Sequence, residues 1–393
     1  MLVPKLRFKE FKDEYKAYRL SDIVDFYRGN TLSKSDIKEN GKFPCILYGE
    51  LYTKYNEITE KVISYTDRND KNFFYSKIND VLIPCSGETA LDISTSTCVL
   101  QDNVIVGGDL NVLRPKVQNG KYLSYLLSNK KRLIIAKYAQ GDSIVHLYGE
   151  KIKNININLP TFAEQEKVSN LLELLNKKIE LQQKKIEALK IYKRGLSQKL
   201  FQSIKEDKNV FKIQISEFLK ERKIYSEKGL EFPHVTLSKE GISEKSDRYN
   251  RDFLVMSDNK EYKITFLNDL CYNPANLKFG VICINEYGKA IFSPIYITLE
   301  IDSNIMDISF CKYYFTRNDF INKVRKYEQG TVYERMAVNV EDFLKHVDIF
   351  PCLEYQRKIA KILSDLDIKI NLQENLLKNL NNIKKSLLQQ MFI

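Results

Sequence analysis

Apolar residues recur in an alternating four-then-three spacing across residues 160–201, a pattern typical of a helix that packs along another helix. The same pattern returns without a gap 191 residues further on, across residues 351–392. Its polar interruptions also repeat, Gln182 as Gln373 and Lys193 as Lys384. One such pattern alone would fit a surface amphipathic helix equally well. The gapless repeat favours two paired helices of about 38 residues each.

The connections that close each half are short, which favours an antiparallel arrangement of the two helices. The amides of Gln182 and Gln373 would then face each other near the middle of the pair. We expect a set of residues with the repeated spacing to line the helix pair or a partner bound to it. They are Gln165, Leu172, Leu175, Ile179, Gln182, Ile186, Leu189, Gln356, Leu363, Leu366, Ile370, Gln373, Leu377 and Leu380.

The stretches before the two helices carry mixed helix and strand patterns. The first stretch predicts a short helix over residues 20–27, capped by Ser21. It also predicts a longer helix over residues 122–138, with residues 122, 126, 127, 133 and 134 on one face. Strands are predicted over residues 61–65, 81–85, 97–100, 103–106, 110–113 and 152–159. The second predicts corresponding helices over residues 213–219 and 307–327. Residues 266–270 echo residues 77–81, and the pentad at 326–330 matches the one at 137–141.

The chain is therefore predicted to be an α+β protein with pseudo-twofold symmetry, in which two repeated mixed units are joined by two long helices in an antiparallel coiled coil. The repeat predicts four segments. They are a first unit at 1–158, a first helix at 159–205, a second unit at 206–350 and a second helix at 351–393.

The net charge indicates the class of binding partner, and the cysteine content indicates the cellular compartment. The 62 Lys and Arg residues exceed the 51 Asp and Glu residues by 11, which favours a polyanion, with nucleic acid ahead of an acidic membrane surface. The seven cysteines form no C-x-x-C pair and fit reduced core residues. The segment Met1–Phe11 lacks a signal-peptide pattern, and no stretch of about 18 apolar residues could span a membrane. We expect a cytoplasmic protein.

Motifs for catalysis are incomplete. The segment Asn273-Pro274-Ala275 lacks the second proline and the aromatic residue that adenine methyltransferases use, and no glycine-rich turn for S-adenosylmethionine precedes it. Gly41-Lys42 and Gly288-Lys289 lack the rest of a phosphate-binding loop. Asp258 with Glu261 and Lys263 is no better than a chance match to a nuclease site, and the three histidines are isolated. We expect no catalytic residue, metal site or cofactor in this chain.

Polar residues that suit DNA contact cluster after the longer helix of each unit and in one loop of each unit. Lysine and hydroxyl groups position a protein on phosphates, whereas Gln and Arg can pair with base edges. The glycines would allow close backbone approach to a phosphate or simply cap a helix, and the loops could equally be solvated turns. The candidates are Ser86, Thr89, Lys137, Tyr138, Gln140, Gly141, Ser143, Asn276, Lys278, Lys326, Tyr327, Gln329, Gly330, Thr331, Tyr333 and Arg335.

The order of unit, helix, unit, helix resembles the specificity subunit of a type I restriction–modification system. The segments 159–167 and 350–358 before the helices, the helix ends 193–201 and 384–392, and the start Val3–Phe8 fit this family. The resemblance implies a non-catalytic subunit with two target recognition domains, each reading one half of a split DNA site. Two modification subunits with S-adenosylmethionine would methylate adenines, and two restriction subunits with ATP and Mg²⁺ would add cleavage.

The alternative is a coiled-coil adaptor or scaffold that bridges partners without binding DNA. The excess of basic residues and the repeated Lys-Tyr-x-Gln-Gly pentad argue against it.

Overall fold

The computed structural model describes residues 3–141, 144–206, 208–226, 232–245, 261–328 and 337–393. Contacts divide the chain into two compact units, Met1–Lys184 with Glu374–Ile393, and Lys185–Gln373. Each unit contains one mixed α and β domain and one end of each long helix. The prediction of an α+β protein with two domains joined by long helices is confirmed.

The first unit is built around a five-stranded sheet in the order β2-β10-β6-β8-β4, with a three-stranded sheet β5-β3-β9 and the pairs β1-β12 and β7-β11. Its strands are β1 Lys16–Arg19, β2 Val24–Arg28, β3 Phe43–Ile46, β4 Ile58–Thr59, β5 Ser64–Thr66, β6 Val81–Pro84, β7 Ser86–Gly87, β8 Thr97–Val99, β9 Ile105–Val106, β10 Leu110–Pro115, β11 Val145–His146 and β12 Asn156–Leu159. Its helices are α1 Leu20–Ile23, α2 Tyr48–Thr53, α3 Gly120–Tyr125, α4 Arg132–Ala136, α5 Gly149–Ile152 and the long α6 Phe162–Ser203. Short 3₁₀ turns lie at Lys34–Asp36 and Asp92–Ser94, and a third, Ile204–Glu206, follows α6 in the second unit.

The predicted helix over residues 20–27 is wrong beyond Ile23. Val24–Arg28 instead pairs with β10 along its whole length, from Val24 opposite Pro115 to Arg28 opposite Asn111. An isolated helix of two turns is marginal, so a strand partner distant in sequence wins. Ser21 lies inside α1, whose N-cap is Arg19. The strand predicted over 152–159 is likewise shorter, because Ile152 ends α5.

The predicted helix over residues 122–138 is interrupted by a π-helical turn, Leu126–Lys130. The backbone N–H of Lys131 donates to the carbonyl of Leu126 over 3.0 Å, and this extra residue rotates all that follows around the axis. Tyr122 and Leu126 are buried as predicted, but Leu133 is 68% exposed and Ile135 takes its place in the core.

The second unit contains a four-stranded sheet β14-β22-β19-β20, a three-stranded sheet β15-β18-β21 and the pairs β13-β23 and β16-β17. Its strands are β13 Val210–Gln214, β14 Leu219–Glu221, β15 Tyr225–Ser226, β16 Val235–Ser238, β17 Gly241–Glu244, β18 Tyr262–Thr265, β19 Leu270–Tyr272, β20 Ile282–Ile284, β21 Ala290–Phe292, β22 Ile297–Ile301 and β23 Val347–Pro351. Its helices are α7 Ile308–Phe315, α8 Asn318–Val324, α9 Val340–Leu344 and the long α10 Leu353–Gln390, with 3₁₀ turns at Ile215–Glu217, Leu277–Phe279 and Arg325–Tyr327.

Two helix predictions in the second unit need correction. The segment 213–219 is helical only at Ile215–Glu217, between two strands. The helix predicted over 307–327 breaks after Phe315, because Arg317 has an extended backbone (φ −73°, ψ 139°) before α8 begins. The break allows the rings of Phe315 and Phe320 to pack in the core with centroids 5.0 Å apart.

Each unit uses the end of one long helix in its hydrophobic core. In the first unit, Phe392 after α10 packs on Tyr122 with ring centroids 4.9 Å apart. In the second unit, Phe201 of α6 packs on Phe310 at 5.5 Å. Phe392 is the repeat of Phe201, so the same contact is built twice from the duplicated sequence.

Truncation of either repeated ring should destabilise the protein strongly. Phe201→Ala and Phe392→Ala each leave a cavity in a closed core, and we expect each to lower the free energy of unfolding by about 3–5 kcal/mol. Phe162→Ala is the control, because Phe162 on α6 is 52% exposed. Chemical denaturation of the three variants checks this, and equal small effects would contradict the role of the rings.

A partly buried carboxylate links helices and strand in the second unit. Asp348 on β23 accepts hydrogen bonds from Tyr314 Oη at 2.5 Å and Lys323 Nζ at 2.7 Å. His346 Nε2 lies 3.7 Å away, too far for a hydrogen bond. Burial alone would raise the pKa of Asp348, but the nearby His346 imidazole, the donors Lys323 and Tyr314 and the backbone N–H of Ile349 outweigh it and hold the pKa well below its usual range.

Because the folded pKa of Asp348 is depressed, its stabilising effect is complete above the unfolded pKa of about 3.9 and is lost as the pH falls towards the folded pKa. We expect Asp348→Asn to lower the free energy of unfolding by about 1–3 kcal/mol at pH 7. The difference from the wild type should shrink below about pH 4. Denaturation across this range, with Asp365→Asn as an exposed control, checks this. A difference independent of pH would contradict it.

Candidate nucleic-acid interface

A buried glutamine fixes the first domain to its long helix. Gln165 Oε1 accepts from the backbone N–H of Asn119 at 3.1 Å, and its Nε2 donates to the carbonyl of Pro160 at 3.0 Å. Asn119 is the N-cap of α3, where its side chain accepts from the N–H of Tyr122 at 3.0 Å. The start of α6 therefore determines where α3, and the segment after it, is placed.

The second unit repeats this arrangement. Gln356 Oε1 accepts from the backbone N–H of Asp307 at 2.8 Å, and its Nε2 donates to the carbonyl of Pro351 at 2.9 Å. Asp307 caps α7 by accepting from the N–H of Phe310 at 2.8 Å. Both domains are thus positioned on their helices by the same buried amide.

A second repeated contact lies further along each helix. Asn176 Nδ2 donates to Tyr125 Oη at 2.8 Å in the first unit, and Tyr313 Oη donates to Asp367 Oδ2 at the same distance in the second. Lys193 is one of the two polar residues that interrupt the hydrophobic pattern of α6. Its ammonium forms an ion pair with Asp367 at 2.5 Å. The other predicted helix-pair residues, from Leu172 to Leu380, are buried or partly buried along α6 and α10.

The echo between residues 77–81 and 266–270 is a repeated turn. Asn79 and Asn268 both adopt a positive φ, 82° and 72°. Asp80 accepts from the backbone N–H of Lys77, and Asp269 from that of Phe266, each at 2.8 Å. An arginine pairs with each aspartate, at 2.7 Å in the first unit and 3.1 Å in the second. These are Arg114 and Arg222.

Four candidates from the first pentad lie on the surface of the first unit. Lys137, Tyr138, Gln140 and Gly141 are exposed, whereas Ser143 lies outside the described residues. Gly141 does not cap α4, which ends at Ala136. It has φ +121°, and a Cβ there would lie 2.2 Å from the carbonyl of Ile144, so glycine is required in this turn.

The first loop is more ordered than a solvated turn. Ser86 is buried on β7, and its Oγ lies 3.0 Å from Nδ1 of His146. Thr89 is exposed, but its hydroxyl donates to the Asp92 carboxylate at 2.6 Å and accepts from the Asp92 N–H at 3.1 Å. Both side chains therefore support the local structure, and Ser86 is not available at the surface.

In the second unit, Lys326 and Tyr327 lie in a 3₁₀ turn, with the ammonium 4.8 Å from the ring centroid. Asn276 precedes another 3₁₀ turn, in which Lys278 lies 5.3 Å from the ring centroid of exposed Phe279. Both lysines thus stand beside an aromatic ring, an arrangement that suits a phosphate next to a base. The remaining candidates lie outside the described residues. These are Gln329, Gly330, Thr331, Tyr333 and Arg335.

The second unit also has a cationic groove of about 900 Å³ between the end of α6 and helices α7 and α8. Lys190, Arg194 and Lys205 line it from the α6 side, and Arg317 and Lys323 line it from the other. The basic residues of α6 are visible in the sequence, but nothing in their spacing shows that α8 lies beside them.

The sequence pattern also did not indicate His146 of the first unit as a site residue, because its partner Ser86 is 60 residues away.

The long helices carry apolar residues outside the repeated pattern. Leu174 and Leu181 on α6 are 67% and 66% exposed, and Leu372 and Ile383 on α10 are 61% and 50% exposed. Leu372 is the repeat of Leu181. Each helix therefore presents a second apolar stripe, which is unusual for a solvated helix face.

Two properties of the described residues bear on other functions. No helix among them is long and apolar enough to cross a membrane. No three His, Cys, Asp or Glu side chains among them converge as metal ligands would. Of the chance nuclease match, Asp258 lies outside the described residues, and Lys263 is buried in an ion pair with Glu221 at 3.0 Å.

Comparison with known proteins agrees with this architecture. Residues 12–191 match the family described as the type I restriction modification DNA specificity domain. The type I restriction enzyme MjaVIII specificity subunit of Methanocaldococcus jannaschii is 24% identical over 211 residues, 52% of this chain and 46% of that protein. The chain thus spans about half the length of this curated relative.

The crystal structure of a type I restriction–modification S subunit from M. genitalium shares the fold. Its TM-score is 0.60 at 18% identity, with 100% of this chain and 99% of that chain covered. The domain match and the shared fold agree with the resemblance carried by the repeated helices. Residues 12–191 of this chain are thus similar to the type I restriction modification DNA specificity domain.

Proposed function

We propose that this chain is a non-catalytic subunit that recognises a DNA site in two parts, with one domain reading each part. The observation that carries this proposal is the repeated anchoring of each domain on a long helix through Gln165 and Gln356. Two domains held in the same way on one chain suit two half-sites. The net charge of +11 suits a polyanionic ligand.

The second apolar stripe supports the proposal that partner proteins dock on the long helices. Leu181 and Leu372 are exposed at repeated positions, so two copies of one partner could bind in the same way. We propose that these partners are two modification subunits, which bind S-adenosylmethionine and methylate adenines. Two restriction subunits with ATP and Mg²⁺ would add cleavage, and this chain would bind no cofactor of its own.

We propose a cytoplasmic location for the complex. All seven cysteines are free. Burial raises the pKa of Cys45, Cys85 and Cys283 to about 12, which keeps these thiols protonated and unreactive at neutral pH. Such cysteines are typical of proteins in a reducing compartment.

Selection from a randomised duplex library with the full chain tests DNA recognition. We expect a motif of two short specified parts separated by an unspecified spacer. The full chain should then be co-purified with an adenine methyltransferase of the same organism, and methylated adenines mapped within the same motif. The methyltransferase alone is the control. No motif, or one continuous motif, would contradict the proposal.

A further inference from the structure

His146 is held rigidly at the surface of the first domain. It lies on β11, opposite Ser86 of β7, and β7 follows the central strand β6 directly. The backbone of His146 exchanges two hydrogen bonds with Gln140, at 3.0 and 2.8 Å. Leu147 N–H donates to the carbonyl of Cys85 at 2.8 Å. A side chain on such a fixed strand is positioned more accurately than one on a free loop.

The hydrogen bond between Ser86 and His146 sets the tautomer of the imidazole ring. Ser86 is only 4% exposed, and His146 Nδ1 is the only partner of its hydroxyl within the described residues. A buried hydroxyl proton that finds no acceptor destabilises the fold more than a hydroxyl oxygen that leaves one lone pair unused. Ser86 therefore donates to Nδ1, and in the neutral ring Nε2 carries the proton. Within the described residues, the side-chain hydrogen bond of His146 is the one at Nδ1.

The surroundings of this N–H donor suit a nucleic acid. Tyr148 stacks beside the ring, with centroids 6.3 Å apart and an interplanar angle of 27°, and is 49% exposed. Gln140 and Lys137 are exposed in the same segment. An aromatic pair and an amide beside one fixed donor can contact a base edge, and an exposed lysine in the same segment can contact a phosphate.

We propose that His146 reads a guanine in the half-site of the first domain by donating from Nε2 to N7 and O6, with Ser86 as the positioning residue. Guanine presents two acceptors at this edge, whereas adenine presents a donor beside N7. This inference rests on the proposed function. It assigns base contact to a residue outside the sequence candidates and gives the candidate Ser86 an indirect role.

The test compares base preferences of the full chain selected on randomised duplexes. His146→Ala should relax the preference for guanine at one position of one half-site and leave all other positions unchanged. Ser86→Ala should relax the same position more weakly. Ser94→Ala is the matched control, because it removes a buried hydroxyl whose one partner in the described part of the chain is the carbonyl of Ala90, at 2.5 Å. Equal melting temperatures would show that the variants are folded.

A modified base tests the contact without relying on a variant. Replacement of that guanine by 7-deazaguanine should weaken binding by the wild type about 3- to 10-fold. It should have no further effect on His146→Ala. A split motif that is the same for the wild type and His146→Ala would overturn this inference and leave the proposed function intact. If the wild type selects no motif, the proposed function fails, and this inference fails with it.

Discussion

Replacement of residues 1–158 by the corresponding domain of a relative is expected to change one half of the recognised DNA site and to leave the other half unchanged. The first domain has hydrophobic cores of its own, which include Val81, Leu113 and Leu126. Its links to the long helices include the N-cap at Asn119, the rings of Tyr122 and Tyr125, and the ion pairs Arg7–Glu164 and Lys121–Glu173. A donor domain that keeps these positions should fold on the long helices.

Mapping of methylated adenines in the presence of the modification subunit measures the outcome. The reciprocal replacement of residues 206–350 is the matched control, and it should change the other half of the site. If either replacement changes both halves together, the two domains do not read DNA separately. In that case the proposal of two independent half-sites would be wrong.

Loss of either buried glutamine is expected to be the most damaging polar substitution on the long helices. Gln165→Leu leaves the N–H of Asn119 and the carbonyl of Pro160 buried without a partner, and Gln356→Leu does the same to Asp307 and Pro351. Each buried group left unpaired costs about 1–3 kcal/mol. We therefore expect each variant to lower the free energy of unfolding by about 2–4 kcal/mol.

Denaturant unfolding gives the size of the effect, and hydrogen exchange at the Asn119 and Asp307 amides shows where it acts. Gln183→Leu is the control on the same helix, because Gln183 is exposed on α6. We expect its free energy of unfolding to stay within about 0.5 kcal/mol of the wild type. A loss below about 1 kcal/mol in both buried variants would mean that water replaces the amide.

Features set by contacts near in sequence were predictable from the sequence. The two long helices were found because a seven-residue period over many turns has few alternative explanations. The turn at Asn79-Asp80 and its repeat at Asn268-Asp269 depend on a side chain that bonds the backbone three residues before it. The exposed pentad residues Lys137 to Gly141 were likewise visible, because polar residues around a glycine mark the surface.

Features that depend on distant partners were decided only by the tertiary structure. Val24–Arg28 is a strand because β10 lies beside it, and Leu133 points outward because a π turn interrupts its helix. Ser86 and His146 are 60 residues apart in the sequence and are paired by a two-stranded sheet with two residues in each strand, so no local pattern could pair them. Periodicity reports which face of an element is covered, but not which element covers it. The helices and their repeat were therefore determined by the sequence, and the arrangement of the candidate DNA-reading surface by the fold.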